Sequence, residues 1–167
     1  MAPRLNARVL DNHAIYNIAF ALADFGSPSF YDAVRAVRIA AYDQVLKLPD
    51  DETVILTDAY FDDADWAWES WTAIEQLAER RRWPFLTISL ICDASEHRRR
   101  IVTEERAARG KLRDASYVDR AAQRRLIEKQ GPLSLCLDTT HRSGEEASSI
   151  LVDWIERVAQ FKIFGTQ

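Results

Sequence analysis

Glycine is scarce in this sequence, and its absence from one kind of loop matters most. The five glycines are scattered along the 167 residues. Parallel α/β proteins that handle phosphate normally carry a glycine-rich loop between a strand and the next helix. The single Gly-Lys pair, Gly110-Lys111, has Glu105 where the first loop glycine belongs, and Leu112 replaces the required serine or threonine. We therefore interpret this pair as a chance match.

Other class-defining features are also missing. No apolar run approaches the roughly 18 residues of a membrane helix, and residues 1–8 lack the apolar centre of a secretion signal. A cytoplasmic location is the default expectation. The net charge of −4 argues against nucleic acid and membrane surfaces as partners. The expected partners are therefore a small-molecule substrate and, as a possible homo-oligomer, a second copy of the chain.

The histidines, cysteines and serines are not arranged in a pattern typical of zinc, thiol or serine chemistry. The three histidines are not spaced as a zinc motif, and no Gly-x-Ser-x-Gly elbow occurs. Cys92 and Cys136 fall inside apolar runs, which predicts small buried packing residues in a reducing compartment. No metal site is predicted. A metal hydrolase that uses aspartates is the minor enzymatic alternative.

What the sequence does contain is four short apolar runs that each end on an aspartate. Apolar runs separated by helix-length segments predict strands buried on both faces of a parallel sheet, whose carboxyl ends bind ligands. The expected fold is a three-layer α/β/α sandwich with a mostly parallel sheet, formed by one domain over residues 1–167. The terminal aspartates, which should share one edge, are Asp11, Asp58, Asp93 and Asp138.

The intervening segments carry helix signals. Ser27-Pro28-Ser29 predicts a helix start, and apolar residues recur at helical spacing until Pro49. A second helix should follow Asp62-Asp63, with its tryptophans in the core, and another should run from about residue 116 to 129. Ser143 and Glu146 form a capping box before the last helix.

Two strand ends in the first half are candidate sites. At Asp11-Asn12-His13, a carboxylate is placed to accept a substrate proton while the neighbouring amide and imidazole orient it. The alternative is that Asp11 or Asn12 simply caps the next helix. Asp58 is placed to hold a magnesium-bound water or to contact substrate. For the nearby Asp62 and Asp63, the alternatives are metal binding and helix capping.

Two further candidates lie in the second half. An arginine-rich stretch over residues 98–113 has the composition of a mobile phosphate clamp, although glutamates at helical spacing could instead pair with it on a solvated face. Asp138-Thr139-Thr140-His141-Arg142 follows the fourth run. Arg142 is suited to stack on a nucleotide base, and the alternative is a turn that satisfies its own backbone.

In their order, these segments resemble the P-loop small-molecule kinases, a group that includes shikimate kinase, gluconate kinase and chloramphenicol phosphotransferase and often carries an AAA-type ATPase label. The resemblance rests on residues 9–13, 54–59, 98–113 and 135–140. It implies ATP and magnesium as cofactors, and it implies roles for single positions. Asp11 would be the catalytic base, with Asn12, His13 and Asp58 binding substrate, Arg106 and Arg109 in the lid, and Thr140 and Arg142 bordering adenine.

The family's first strand, phosphate loop and first helix have no counterpart before Arg8. In the family that strand lies between the strands numbered second and third here. We expect these two strands to pair directly, a partner to fill the gap, or the natural chain to begin upstream. The predicted function is a kinase-like protein derived from a phosphotransferase for a small hydroxylated metabolite or antibiotic, inactive as it stands. The alternative is a non-catalytic ligand-binding or scaffold module.

Overall fold

In a computed structural model, residues 2–108 and 111–164 are described, and they group into two compact units. The first unit comprises residues 1–59 and 73–83, and the second comprises residues 60–72 and 84–167. Helix α3, Asp65–Arg81, contributes its first turns to the second unit and the rest to the first. The prediction of one domain over residues 1–167 stays a prediction.

The first unit is built on a pair of parallel strands. After a 3-10 turn at Ala2–Leu5, β1 (Ala7–Asp11) pairs with β2 (Thr53–Thr57), and the register places Asp11 opposite Thr57. Parallel strands need a long connection. Helices α1 (Asn12–Leu22) and α2 (Pro28–Val45) supply it by packing against each other as a hairpin.

The second unit repeats this arrangement with shorter helices. Strand β3 (Thr87–Ile91) pairs in parallel with β4 (Ser134–Asp138), so that Ile91 lies opposite Asp138. The connection holds α4 (Ala94–Ile101), α5 (Glu104–Ala108) and α6 (Ser116–Ala122), and α7 (Gly144–Phe164) follows β4. The α/β class and the parallel pairing are thus confirmed.

The strands pair two by two, which corrects part of the sequence prediction. In the described ranges β2 and β3 do not pair with each other, and each sheet holds two strands. The strands are also not buried on both faces, since Val9 and Leu90 are each 54% exposed. Each strand has a single neighbouring strand, so fewer side chains flank it than in the wider sheet that was expected.

Helix starts are predicted better than helix ends. Ser27 accepts a hydrogen bond from the Phe30 N–H at 3.2 Å, with Pro28 in the first helical position, as expected. Helix α1 corresponds to the alternative interpretation of this segment, in which Asp11 or Asn12 caps the next helix, and Asp11 is its cap. The expected helix to residue 129 ends instead at Ala122, because Phe61 and Leu126 form an antiparallel bridge. Ile127 N–H also donates to the Tyr60 carbonyl at 2.8 Å.

The two cysteines and one tryptophan are less buried than expected. Cys136 is exposed and Cys92 is half-buried, so the prediction of two buried packing thiols is wrong. Both lie in or just after strands that have a single neighbour. Trp68 is exposed as well, and its indole N–H donates to the Asp62 carbonyl at 2.9 Å.

The capping box at the start of α7 is formed as predicted. Glu146 accepts from the Ser143 N–H at 2.7 Å, and Ser143 Oγ accepts from the Glu146 N–H at 3.2 Å. Each bond satisfies a backbone donor that the helix itself leaves open.

We expect Ser143→Ala to lower the free energy of unfolding by about 1 kcal/mol, because the N-terminal donors of α7 lose their acceptor. Urea denaturation followed by circular dichroism measures this. Ser148→Ala, inside the same helix, is the control and should be neutral or slightly stabilising, since alanine is the better helix former. Equal losses for both variants would contradict a capping role.

Candidate functional site

The carboxyl ends of β1 and β2 bring four polar side chains of the first unit together. Thr57 Oγ1 donates to Asp11 Oδ2 at 3.2 Å, and Asn12 Nδ2 lies 3.4 Å from Asp58 Oδ1. Asp11, Asn12, Thr57 and Asp58 are called the acidic rim below. This juxtaposition is the one expected from parallel strands that end on aspartates.

The rim carboxylates also have local roles. Asp11 Oδ1 accepts from the His13 N–H at 2.9 Å and so caps α1, while Asp58 Oδ1 accepts from the Ala59 N–H at 2.8 Å. The capping interpretation of Asp11 is therefore confirmed. A cap does not exclude a second role, since a carboxylate offers about four acceptor positions. Local bonds hold both carboxylates in place at the sheet edge.

A buried arginine and a buried tyrosine in the same unit were not singled out from the sequence. Arg38 is only 7% exposed and Tyr42 is 8% exposed. They follow Phe30 and Val34 at four-residue spacing along α2, so an arginine inside an apolar stripe was the available signal. Burial raises the pKa of the Tyr42 phenol to about 12, opposed by Arg38 and reinforced by Asp58. This phenol is therefore neutral at physiological pH.

The second unit has its own cluster at the ends of β3 and β4. Thr140 Oγ1 donates to Asp138 Oδ1 at 2.6 Å and accepts from the Asp93 N–H at 2.9 Å. The bond from the Thr140 hydroxyl lowers the pKa of Asp138, and the Glu96 N–H does so for Asp93, which caps α4. Both carboxylates are thus held in the charged form by local donors.

Arg100 ties α4 to the segment that follows β4. Its guanidinium donates to Thr139 Oγ1 at 3.0 Å and to the Thr139 carbonyl at 2.7 Å, and it also bonds Glu96 Oε1 at 2.6 Å. Thr139 in turn donates through its hydroxyl to the Ile91 carbonyl at 2.9 Å. In the sequence Arg100 is one charge of a run of arginines, and only its neighbours in space distinguish it.

Most of the arginine-rich stretch is engaged in local pairs. Arg106 Nε donates to the Leu112 carbonyl at 3.2 Å, whereas Arg109 lies outside the described residues. The remaining arginines of the stretch pair within the second unit: Arg98 with Asp119, Arg99 and Arg100 with Glu96, and Arg113 with Glu104. These pairs match the alternative interpretation, in which the arginines form an ion-paired face. The roles of Arg106 and Arg109 as lid arginines stay a prediction.

The remaining predicted site residues are also held locally. Arg142 Nε donates to the Asp138 carbonyl at 3.0 Å, which matches the self-satisfied turn. Asp63 forms two bonds to the Arg124 guanidinium, at 2.6 and 2.7 Å, and Arg124 lies 4.0 Å above the Phe61 ring. Asp63 is thus an ion-pair partner, since α3 begins only at Asp65.

Two further observations concern the described residues. In residues 2–108 and 111–164 no three histidine, cysteine, aspartate or glutamate side chains gather in a way that could hold a metal ion. None of the helices within those ranges combines the length and the apolar character that crossing a membrane requires.

Comparison with known proteins gives a likeness in structure alone. No family model matches the chain, and no curated protein is similar to it in sequence. The crystal structure of "a putative kinase" from Chloroflexus aurantiacus superposes with a TM-score of 0.61 at 16% identity. The match covers 95% of this chain and 85% of that one. The chain therefore has a kinase-like α/β fold, and the likeness does not extend to substrate or activity.

Arg100→Lys tests the link between α4 and the segment after β4. A lysine has no planar fork, so it cannot keep both bonds to Thr139 together with the bond to Glu96, and we expect the free energy of unfolding to fall by about 1.5–3 kcal/mol. Urea denaturation provides the measurement. Arg99→Lys is the matched control, because Arg99 is exposed and its bonds among the described residues go to Glu96, and the midpoint of this variant should barely move.

The same ion pairs predict an acid dependence. Hydrogen bonds from Arg99, and next from Arg100, lower the pKa of Glu96 from 4.5 to about 2, so their stabilisation is complete above about pH 4.5 and lost as the pH falls toward 2. Carbon-detected NMR titration should place the Glu96 midpoint near 2. Glu96→Gln should remove this part of the acid sensitivity of α4, and Glu145→Gln should not. A Glu96 midpoint near 4.5 would contradict the pairing.

Proposed function

We propose that this chain is a kinase-like protein that binds a small hydroxylated compound at the acidic rim of its first unit. The observation that carries the proposal is the juxtaposition of Asp11 and Asp58, linked through Thr57 and Asn12 at the ends of two parallel strands. Carboxylate and amide groups are suited to receive and orient hydroxyl groups. The kinase-like fold supports this choice of edge.

Asp11 has the chemistry required of a base in phosphoryl transfer. In such reactions the protein mainly positions the groups and stabilises charge, while one carboxylate accepts the proton of the attacking hydroxyl. Asp11 is held from two sides, by the His13 N–H and the Thr57 hydroxyl. In the proposal Asp11 receives the substrate proton, and Asn12, His13 and Asp58 orient the substrate.

The donor side of the reaction is a separate part of the proposal. In a kinase of this kind, magnesium-ATP would supply the phosphoryl group, Arg106 and Arg109 would contact phosphates, and Thr140 and Arg142 would border the base. These 167 residues contain no Gly-x-x-x-x-Gly-Lys-Ser/Thr loop to cradle the phosphates. The proposal is therefore that the chain binds the acceptor and transfers phosphate slowly or not at all. That missing loop also favours the second candidate function, a non-catalytic ligand-binding module.

Asp11→Asn tests whether the acidic rim is the binding site. In an NMR screen of small polyols, compounds that bind should shift the amide signals of residues 11–13 and 57–58. Asp11→Asn should lower their affinity about tenfold or more, because a charged acceptor is lost. Asp50→Asn, an exposed turn residue of the same unit, is the control. Unchanged affinity in Asp11→Asn, or no binder that moves these signals, would contradict the acidic rim as the site.

Calorimetry with magnesium-ATP addresses the donor side. The proposal expects weak or no binding and no phosphate transfer to the compounds found in the screen. Tight binding together with transfer would show that the chain has a nucleotide site of another design. In that case the non-catalytic module would be excluded, and Asp11→Asn should reduce the transfer rate.

A further inference from the structure

We infer that two copies of this chain associate through the outer face of α1, packed antiparallel as a two-fold symmetric pair of helices. The outer face of α1 comprises five residues that are exposed in the single chain: Ala14, Asn17, Ile18, Ala21 and Leu22. None of them belongs to the acidic rim, so the inference goes beyond the proposed function and does not depend on it.

The outer face has the spacing of a packing surface. Counted from Ala14, its members follow at the third, fourth, seventh and eighth positions, the pattern with which a helix normally faces a core. Ile15 and Ala19 lie on another side of the helix and are buried. Helix α1 therefore has two packing surfaces, and the outer one stays exposed in the single chain.

Exposed hydrophobic side chains are concentrated in this part of the chain. In the described ranges twelve large hydrophobic residues are exposed, and four of them fall between residues 18 and 25: Ile18, Phe20, Leu22 and Phe25. Leu22 and Phe25 are the most exposed of the twelve, at 77% and 76%. Single exposed hydrophobic residues are normal, but a group of them in one short segment marks an interaction surface.

The charge pattern favours a second copy of the chain over a membrane surface. Residues 12–23 contain no lysine, arginine, aspartate or glutamate, in a chain with a net charge of −4. Helices that lie on membrane surfaces usually carry lysine and arginine on a polar face, and α1 has no basic residue of either kind. An uncharged face can meet its own copy without bringing like charges together.

Symmetry and the helix dipole favour the antiparallel arrangement. In a two-fold dimer the same surface of both chains meets itself. Ile18 is at the middle of the outer face, so it lies near its own counterpart at the two-fold axis, and Ala14 of one chain lies near Leu22 of the other. This orientation places the positive end of each helix dipole beside the negative end of the other. The small side chains of Ala14 and Ala21 let the two helices approach closely.

The size of the outer face sets the strength of the dimer. Helix α1 has 11 residues, which corresponds to a length of about 16 Å. Two such faces, with Phe25 just beyond the end of each helix, bury on the order of 1,000 Å² in total, the lower limit for a specific interface. We therefore expect a reversible dimer with a dissociation constant on the order of 10 µM.

Sedimentation velocity of the full chain at concentrations from about 1 to about 200 µM measures this equilibrium. Ile18→Glu should raise the dissociation constant about tenfold or more, because two carboxylates would meet at the two-fold axis. Ile39→Glu is the matched control, since Ile39 is exposed as well but belongs to α2, outside the outer face, and this variant should dimerise like the unchanged chain. Circular dichroism should show equal helix content for both variants.

A charge swap tests the antiparallel orientation. Ala14→Glu and Leu22→Lys should each weaken the dimer when present alone. A mixture of the two variants should associate about tenfold more tightly than either variant does, because the new carboxylate of one chain then meets the new ammonium group of the other. In a parallel pair these groups would lie about 12 Å apart along the helices, and the mixture would show no gain.

Three other outcomes would overturn the inference. The first is a chain that stays monomeric over the whole concentration range, and the second is a dimer that Ile18→Glu weakens no more than Ile39→Glu does. The third is flotation of a monomeric chain with neutral phosphatidylcholine vesicles, abolished by Ile18→Glu, which would assign the outer face to a membrane. Each of these results leaves ligand binding at the acidic rim unaffected, so the failure of the two proposals is distinguishable.

Discussion

Parallel pairing of two short strands is the constraint on which the acidic rim depends. Because β1 and β2 run in the same direction with Asp11 opposite Thr57, the residues that end each strand meet at one edge. An antiparallel pair, or a slip of one residue, would separate Asp11 from Thr57 or turn its side chain to the other face. The pairing of β3 with β4 acts in the same way on Asp138 in the second unit.

Each unit uses an arginine to hold the loops around its strands. In the first unit Arg81 donates to the backbone carbonyls of Val45, Pro49 and Glu52, which surround the entry to β2. In the second, Arg100 bonds the Thr139 carbonyl just after β4. A guanidinium has five donors in a rigid fork, so one side chain can satisfy several loop carbonyls that no helix or sheet would pair. These arginines act as structural ties.

The strand-end carboxylates show how a local role and a site can share one residue. Asp11 caps α1, Asp93 caps α4, and Asp138 accepts from the Thr140 backbone and hydroxyl. A cap fixes the carboxylate relative to the backbone, which is also what a binding or catalytic group requires. From the sequence, capping and a functional role were alternatives for Asp11. In the structure the two are compatible, because the carboxylate that caps α1 also belongs to the acidic rim with Asn12 and Asp58.

Much of the local structure could be read from residue patterns. The four strands, the start of α2 at Ser27-Pro28 and the capping box at Ser143 depend on neighbours within four residues, and the sequence by itself determined them. Tertiary structure alone decided the division into two-stranded sheets, the early end of α6, the exposure of Cys136 and the bonds of Arg100. Each of these depends on which distant segment lies alongside: residues 60–62 stop the helix at Ala122, and Thr139 sets the bonds of Arg100. Such neighbours are set by packing across tens of residues, for which a single sequence carries no local signal.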